Sequence, residues 1–195
     1  MAIAFVLGNG LSRAPVNLET LAQCGPVYGC NALYREFTPH CLVATDRPIA
    51  TEIQETGYSG RARFHTRRPI AGLGARPVPK AYYGNSSGPI ATSLAALDGH
   101  HKIYLVGFDL GPSSTGRFNN IYANTQHYKK PSDHPTYTGN WIKQLCAIAR
   151  DFPQVEFVRV HGDTTADIAD FAAVPNMKKL PMEHFLERIN TSKDL

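Results

Sequence analysis

Several absences narrow this sequence before any positive signal is read. No G-x-x-x-x-G-K-[ST] segment occurs, which excludes a P-loop. The four cysteines, Cys24, Cys30, Cys41 and Cys146, form no C-x-x-C pair and read as reduced core residues of a cytoplasmic protein. No basic segment precedes the N-terminal apolar run, which is only a strand long, so neither a signal peptide nor a membrane span is expected. Internal repeats and low-complexity tracts are also missing. From residue 56 to residue 97 there is no acidic side chain, yet Arg61, Arg63, Arg67, Arg68, Arg76 and Lys80 all fall there. Over the whole chain 20 Lys and Arg face 16 Asp and Glu, a net +4. That excess favours an anionic ligand, and without a basic motif interleaved with aromatics it does not announce nucleic acid.

What is present is enough for one well-buried domain: 195 residues, 43% hydrophobic and 18% charged. Residues 2–7 are an unbroken apolar run that stops at Gly8-Asn9-Gly10, the pattern of a parallel strand buried on both faces and ending in a sharp, open-backboned turn. In open α/β sheets ligands bind beyond the carboxyl ends of the strands, where glycines let a phosphate approach backbone N–H groups. A turn that merely needs glycine is the alternative. The dinucleotide fingerprint is incomplete, because its third glycine falls at Arg13 and the acidic residue after the second strand is replaced by Asn31, so NAD is not expected. Asn9 and Asn31 are neutral amides able to hydrogen-bond a ribose, a base edge or a phosphate.

The rest of the chain alternates strands and helices. Helices are expected at 17–23, capped by Asn17, and at 31–37, 48–55, 89–97, 140–150, 165–172 and 181–189; strands at 27–30, 41–46, 61–66, 102–108 and 155–160. Successive βα units argue for a parallel sheet. The fold expected is a single Rossmann-like α/β domain spanning 1–195, a mainly parallel sheet with helices on both faces. Residues 67–79, with three prolines and two glycines, read as an irregular surface segment whose charges either meet an acidic substrate or form a solvated face. Asn85-Ser86-Ser87-Gly88 precedes the alanine-rich helix and offers hydroxyls and free N–H groups to an anion, although capping alone accounts for one serine. Residues 111–139 have no hydrophobic periodicity but hold Tyr122, His127, Tyr128, Lys129, Lys130, His134 and Tyr137, the composition of a lid. His134 is the candidate base, with His127 behind it. Trp141 reads as a core anchor.

Taken in order, Gly8-Asn9-Gly10-Leu11-Ser12, Cys30-Asn31, Asn85-Ser86-Ser87-Gly88 and the 103–109 run Ile-Tyr-Leu-Val-Gly-Phe-Asp resemble the bacterial sialyltransferases of glycosyltransferase family 42. The resemblance covers the chain to about residue 140. It implies CMP-sugar binding by Gly8, Asn9, Gly10, Ser12, Asn31, Asn85, Ser86, Ser87 and Gly88, phosphate contacts from Tyr122 and Tyr128, and His134 as the base that deprotonates an acceptor hydroxyl. The implied reaction is metal-independent inversion, with a nucleotide-sugar donor, a saccharide acceptor and no required cofactor; homo-oligomer formation is left open. Asp46, where those enzymes carry asparagine, and the Gly107-Phe108-Asp109-Leu110 ending also resemble the 6-hydroxymethylpterin diphosphokinase-like group. There Asp46 and Asp109 would hold Mg²⁺ for transfer from ATP, or would only order the adjoining loops. A nucleotide-binding protein without catalytic activity is the remaining alternative.

Overall fold

The computed structural model describes residues 2–191 and Leu195. Its eight strands are β1 (Ile3–Leu7), β2 (Val27–Cys30), β3 (Cys41–Val43), β4 (Arg63–Thr66), β5 (Arg76–Pro77), β6 (Lys102–Val106), β7 (Glu156–His161) and β8 (Met177–Pro181). They form one sheet in the order β5-β4-β3-β2-β1-β6-β7-β8, and every neighbouring pair is parallel. The helices are α1 (Leu18–Cys24), α2 (Arg47–Glu55), α3 (Ser87–Leu97), α4 (Gly139–Asp151) and α5 (Met182–Thr191). This is the single α/β domain with helices on both faces that the alternation of elements implies. Among the described residues no helix is long and apolar enough to cross a membrane.

The two-residue period of the strands sorts their side chains into two cores. Ala4, Val6, Tyr28, Val43, Ile103 and Leu105 point to one face, where α3 and α4 cover them. Phe5, Leu7, Leu42, Phe64, Tyr104 and Val158 point to the other, packed by Leu21 of α1, Ile49 and Ile53 of α2, and Phe185 and Ile189 of α5. Strands buried on both faces have to be apolar at every position, which is why 2–7 and 103–106 are unbroken runs. Helix α3 is buried from Pro89 to Ala96 because the sheet lies on one side of it and α4 on the other. Small alanines allow that close double packing. In α1, Asn17 caps as expected, its side-chain oxygen accepting from the Thr20 N–H at 2.9 Å.

Four segments differ from the sequence reading. Residues 31–37 and 165–172 form 3-10 turns at Asn31–Arg35 and Ala169–Ala173 rather than α-helix. Strands β5 and β8 were not anticipated. Two-residue β5 has exposed Arg76 and Pro77, and in β8, with sequence Met-Lys-Lys-Leu-Pro, Leu180 alone is fully buried. Both lie at sheet edges, where proline and lysine are tolerated because one side of the strand needs no partner.

Central β1 pairs with β2 on one side and β6 on the other, so chain connections diverge to opposite sides of the sheet at the β1/β6 boundary. Just past it the two backbones nearly touch. The Gly8 N–H donates to the Val106 carbonyl at 2.8 Å and the Gly10 N–H to the Gly107 carbonyl at 2.9 Å. A β-carbon on Gly8 would lie 2.5 Å from the Gly107 oxygen, and one on Gly107, whose φ is +75°, would lie 2.7 Å from the Gly8 oxygen. Only backbone fits there. Gly8→Ala is therefore expected to lower the unfolding free energy by about 1–3 kcal/mol in urea titration, the usual cost of overfilling a packed site.

Candidate functional site

A cleft of about 430 Å³ opens at the carboxyl ends of β1 and β6, the topological switch point of the sheet. The first turn supplies Gly8, Asn9 and Gly10 to its wall, the end of β2 supplies Asn31, the start of α3 supplies Ser86, Ser87 and Gly88, and α4 contributes Trp141. Four segments far apart in sequence thus meet at one place.

Their polar groups are held by one another. Asn9 is 8% exposed; its Nδ2 donates to the Cys30 carbonyl at 3.2 Å, and its buried Oδ1 has no donor among the described residues. Asn31 occupies the left-handed region at φ +53°, a conformation asparagine tolerates better than most side chains. Its Oδ1 accepts from the Ser87 hydroxyl at 3.1 Å, while Ser87 Oγ accepts from the Thr45 N–H at 3.0 Å. The ends of β2, β3 and α3 are locked together by these bonds, and the Asn31 Nδ2 is left without a protein acceptor among the described residues. Ser86 caps less freely: its Oγ accepts from Trp141 Nε1 at 2.9 Å, and its N–H donates to Gln144 Oε1 at 2.8 Å. The N–H groups of Ser87 and Gly88 open α3 and have no carbonyl four residues back, so the helix presents unpaired donors and its positive end at the cleft.

Asp109 organises the opposite wall. Only 3% exposed, its carboxylate accepts from the Ser12 N–H at 3.1 Å, the Ser12 hydroxyl, Asn119 Nδ2 at 3.0 Å, Thr164 Oγ1 at 2.6 Å and Thr165 Oγ1 at 3.4 Å. Beneath it lies Arg159, 2% exposed, which donates to the carbonyls of Phe108, Asp109 and Ala166 at 2.8–3.0 Å. Burial lowers the Arg159 pKa to about 10, opposed by the charge of Asp109. Together they hold Gly107 and Leu110 at positive φ on either side of Phe108.

Five donors occupy the lone-pair positions of Asp109, which ties the surrounding loops together. Asp46 differs: it is exposed, lines the cleft at the start of α2, and its carboxylate makes no capping bond and accepts no hydrogen bond from the described residues. Among the described residues no group of three or more His, Cys, Asp and Glu side chains converges as a metal site.

The 111–139 segment lies along the first turn. The Ile121 N–H donates to the Asn9 carbonyl at 2.8 Å and the Leu11 N–H to Asn119 Oδ1 at 2.8 Å. Tyr122 and Tyr128 do not line the cleft. Tyr122 is 7% exposed, donates its hydroxyl to Glu36 and accepts from Arg13 at 3.0 Å. The Tyr128 hydroxyl accepts from the Ala32 N–H at 3.3 Å, and burial pushes its pKa up to about 12. Both act as anchors because their rings pack against each other at a tilt of 49°, with centroids 5.7 Å apart, over the α1/α2 core. His134 is exposed on the same segment and outside the cleft wall, although Thr136, two residues on, lines it. Ser12 is spent on Asp109, and Asn85 stands behind the wall, its carbonyl accepting from Arg67 at 2.6 Å.

The structure adds wall residues that the sequence reading did not select. Trp141 packs against the core as expected but also lines the cleft, with Phe108 and Phe118. Arg67 reaches the wall from the acid-free stretch, whereas Arg63 pairs with Asp98 at 2.5 Å and Arg61 lies over the Tyr58 ring. That stretch of unbalanced charge was the one available signal.

No family model matches the sequence, and a search of curated proteins finds no relative. Among solved structures, the sialyltransferase CstII from Campylobacter jejuni in complex with the substrate analogue cytidine-5'-monophosphate aligns with a TM-score of 0.51 at 14% identity, covering 90% of this chain and 86% of that one. CstII in complex with CMP-3FNeuAc aligns with a TM-score of 0.53 at 14% identity, covering 90% and 87%. At this identity the likeness is one of fold.

Two predictions follow from the Asp109–Arg159 wall. Asp109→Asn puts an amide among donors and is expected to cost about 2–3 kcal/mol, with loss of hydrogen-exchange protection at the Ser12 amide. His161, at the end of β7, has its pKa lowered to about 4 by burial and by the charges of Arg159 and Lys179. Between pH 6.5 and 4 the unfolded chain takes up this proton and the folded protein does not, so stability falls as pH drops through that window. Thermal melts of wild type and His161→Asn across the window should show the mutant losing less stability on acidification.

Proposed function

We propose that the protein is a sialyltransferase-like glycosyltransferase that moves a sugar from a CMP-sugar to an acceptor hydroxyl, with inversion and without a metal ion. The observation that carries this reading is the convergence of Asn9, Asn31 and the α3 N-terminus on one cleft. Unpaired N–H donors at Ser87 and Gly88 suit the phosphate of a nucleotide, and the unpaired Asn31 Nδ2 and Asn9 Oδ1 suit ribose hydroxyls or base edges. Asn9, Asn31, Ser87 and Gly88 would hold the nucleotide directly; Ser86, Ser12 and Asn85 would act through Trp141, Asp109 and Arg67. Further support comes from the fold shared with a sialyltransferase described with CMP and CMP-3FNeuAc.

The chemistry asks little more. The acceptor oxygen attacks the anomeric carbon as the bond to phosphate breaks, and the electron pair leaves on a phosphate oxygen. The unpaired N–H groups at the start of α3 would stabilise the departing charge on that oxygen.

The chain's single tryptophan, Trp141, lies in the cleft wall, so its fluorescence reports occupancy. CMP is expected to bind with the same affinity with and without Mg²⁺, by fluorescence and by calorimetry, and about tenfold more weakly to Asn31→Ala, the loss of one to two hydrogen bonds. Binding of ATP only with Mg²⁺, and no binding of CMP, would overturn the reading.

A further inference from the structure

At the β5 edge of the sheet the chain makes a turn whose apolar residues are left in solvent. After β4 it leaves the sheet as Arg67-Arg68-Pro69-Ile70-Ala71-Gly72-Leu73-Gly74-Ala75 and returns at Arg76 in β5. Residues 68–72 are all exposed, Ile70 at 38%, and Leu73 is half-buried. Gly72 and Gly74 lie at φ +83° and +80°, and a β-carbon on Gly72 would meet nothing within 4 Å, so the tip projects clear of the domain. Its base is built on a buried side chain: Gln54 of α2, 1% exposed, accepts from the Ile70 N–H at 2.7 Å and donates to the Arg68 carbonyl at 3.4 Å. The Leu73 N–H closes the turn on the Ile70 carbonyl at 3.2 Å. These bonds hold an apolar tip outward instead of folding it in.

Cations flank that tip on both sides. Arg67 and Arg68 precede it, Arg76 and Lys80 follow it, and Arg47 from the first turn of α2 shares with Arg67 and Arg68 a shallow cleft of about 500 Å³. Arg67 is held by the carbonyls of Tyr83 and Asn85. The exposed charged groups of Arg47, Arg68, Arg76 and Lys80 make no ion pair or hydrogen bond with the described residues. Asp46 is the acidic side chain of the shallow cleft, and none occurs from residue 56 to residue 97 to offset the charge. Tyr83, 52% exposed, lines the same cleft; tyrosine is a side chain that settles where water meets hydrocarbon.

Unpaired cations gathered on one face repel each other and are relieved by an anionic surface. A nucleic acid would answer the charge and leave the apolar tip in water. A bilayer with anionic headgroups answers both, because its phosphates meet the guanidinium groups while Ile70 and Leu73 enter the boundary with the acyl chains. We propose that this turn and its flanking cations dock the protein on an anionic phospholipid bilayer. The basic cleft shares Thr45, Asp46 and Arg67 with the first cleft, so docking holds the mouth of the first cleft beside the membrane surface. Such association is reversible, since one short apolar tip and a few charges do not anchor a chain as a spanning helix does. The docking surface is independent of the transferase reading, because none of its unpaired cations holds the nucleotide.

The full chain is sedimented with vesicles of phosphatidylcholine and with vesicles of equal parts phosphatidylcholine and phosphatidylglycerol. Partitioning onto the anionic vesicles is expected to be about tenfold stronger and to fall as salt is raised. Arg47→Ala, Arg68→Ala and Arg76→Ala should each weaken it about fivefold, whereas Lys178→Ala, an exposed cation on β8 at the opposite edge of the sheet, should not. Ile70→Ser should weaken it about fivefold and Ala71→Leu strengthen it by a similar factor, a gain that a merely structural turn would not give. Equal partitioning onto neutral and anionic vesicles, or no binding to either at low salt, would overturn the proposal. So would a loss in Arg68→Ala with Ile70→Ser and Ala71→Leu unchanged, and binding of a single-stranded oligonucleotide beside that result would give the surface to nucleic acid. Vesicle binding is read without nucleotide, so failure of CMP to bind would defeat the transferase reading and leave the docking surface standing.

Discussion

The Asp109 carboxylate is the contact on which the architecture of the site depends. It gathers the turn after β1 through Ser12, the 111–139 segment through Asn119 and the segment after β7 through Thr164 and Thr165. Ser12 lies 97 residues before Asp109, Asn119 10 residues after it and Thr164 55 residues after it, and the three share no helix or strand. A buried charge is costly unless donors surround it, so once the donors are in place the three segments cannot drift apart without exposing a desolvated anion. Arg159 adds the complementary constraint by satisfying the carbonyls that the same turn leaves without partners. The Gly8–Gly107 approach provides the space for this arrangement, since any side chain there would push the first turn away from Asp109.

With that wall rigid, the opposite wall is free to be chemically open. Ser87 ties together three element ends, yet the first N–H groups of α3 and the amide nitrogen of Asn31 retain unused hydrogen-bonding capacity. The contrast between the two aspartates follows the same logic. Asp109 is saturated and structural; Asp46, three residues beyond β3, is unsatisfied and faces a cavity. Corresponding positions three residues beyond β3 and β6, strands separated by β2 and β1, therefore have different surroundings, set by how many donors the tertiary structure brings within reach.

The 111–139 segment illustrates how side-chain type can mislead when its surroundings are unknown. Tyr122 and Tyr128 have the spacing of a phosphate-binding pair, but their rings fill the α1/α2 core and their hydroxyls are satisfied by Glu36, Arg13 and the Ala32 amide. Here the tyrosines hold the 111–139 segment against the core. His127 belongs to the same fastening, with Nε2 2.7 Å from Glu52 Oε2.

The layout was legible in the sequence because it rests on local rules. Apolar runs that end at Gly8-Asn9-Gly10 and at Gly107-Phe108-Asp109 mark doubly buried parallel strands, Asn17 and Pro48 mark helix starts, and a glycine-rich turn after the first strand marks the ligand end of such a sheet. Asn9, Asn31, Ser86, Ser87 and Gly88 could be chosen from these turns, and the structure places all five in one wall. Edge strands β5 and β8 were hidden because an edge does not need the apolar pattern that identifies a central strand. Which polar residues face the cleft was decided only by tertiary structure: Trp141 and Arg67 turn toward it, while Tyr122, Tyr128, Ser12 and Asn85 are drawn into contacts elsewhere. The physical reason is that a strand or a turn is specified by its neighbours in sequence, whereas the availability of a hydroxyl or a charge depends on every donor and acceptor that folding brings beside it.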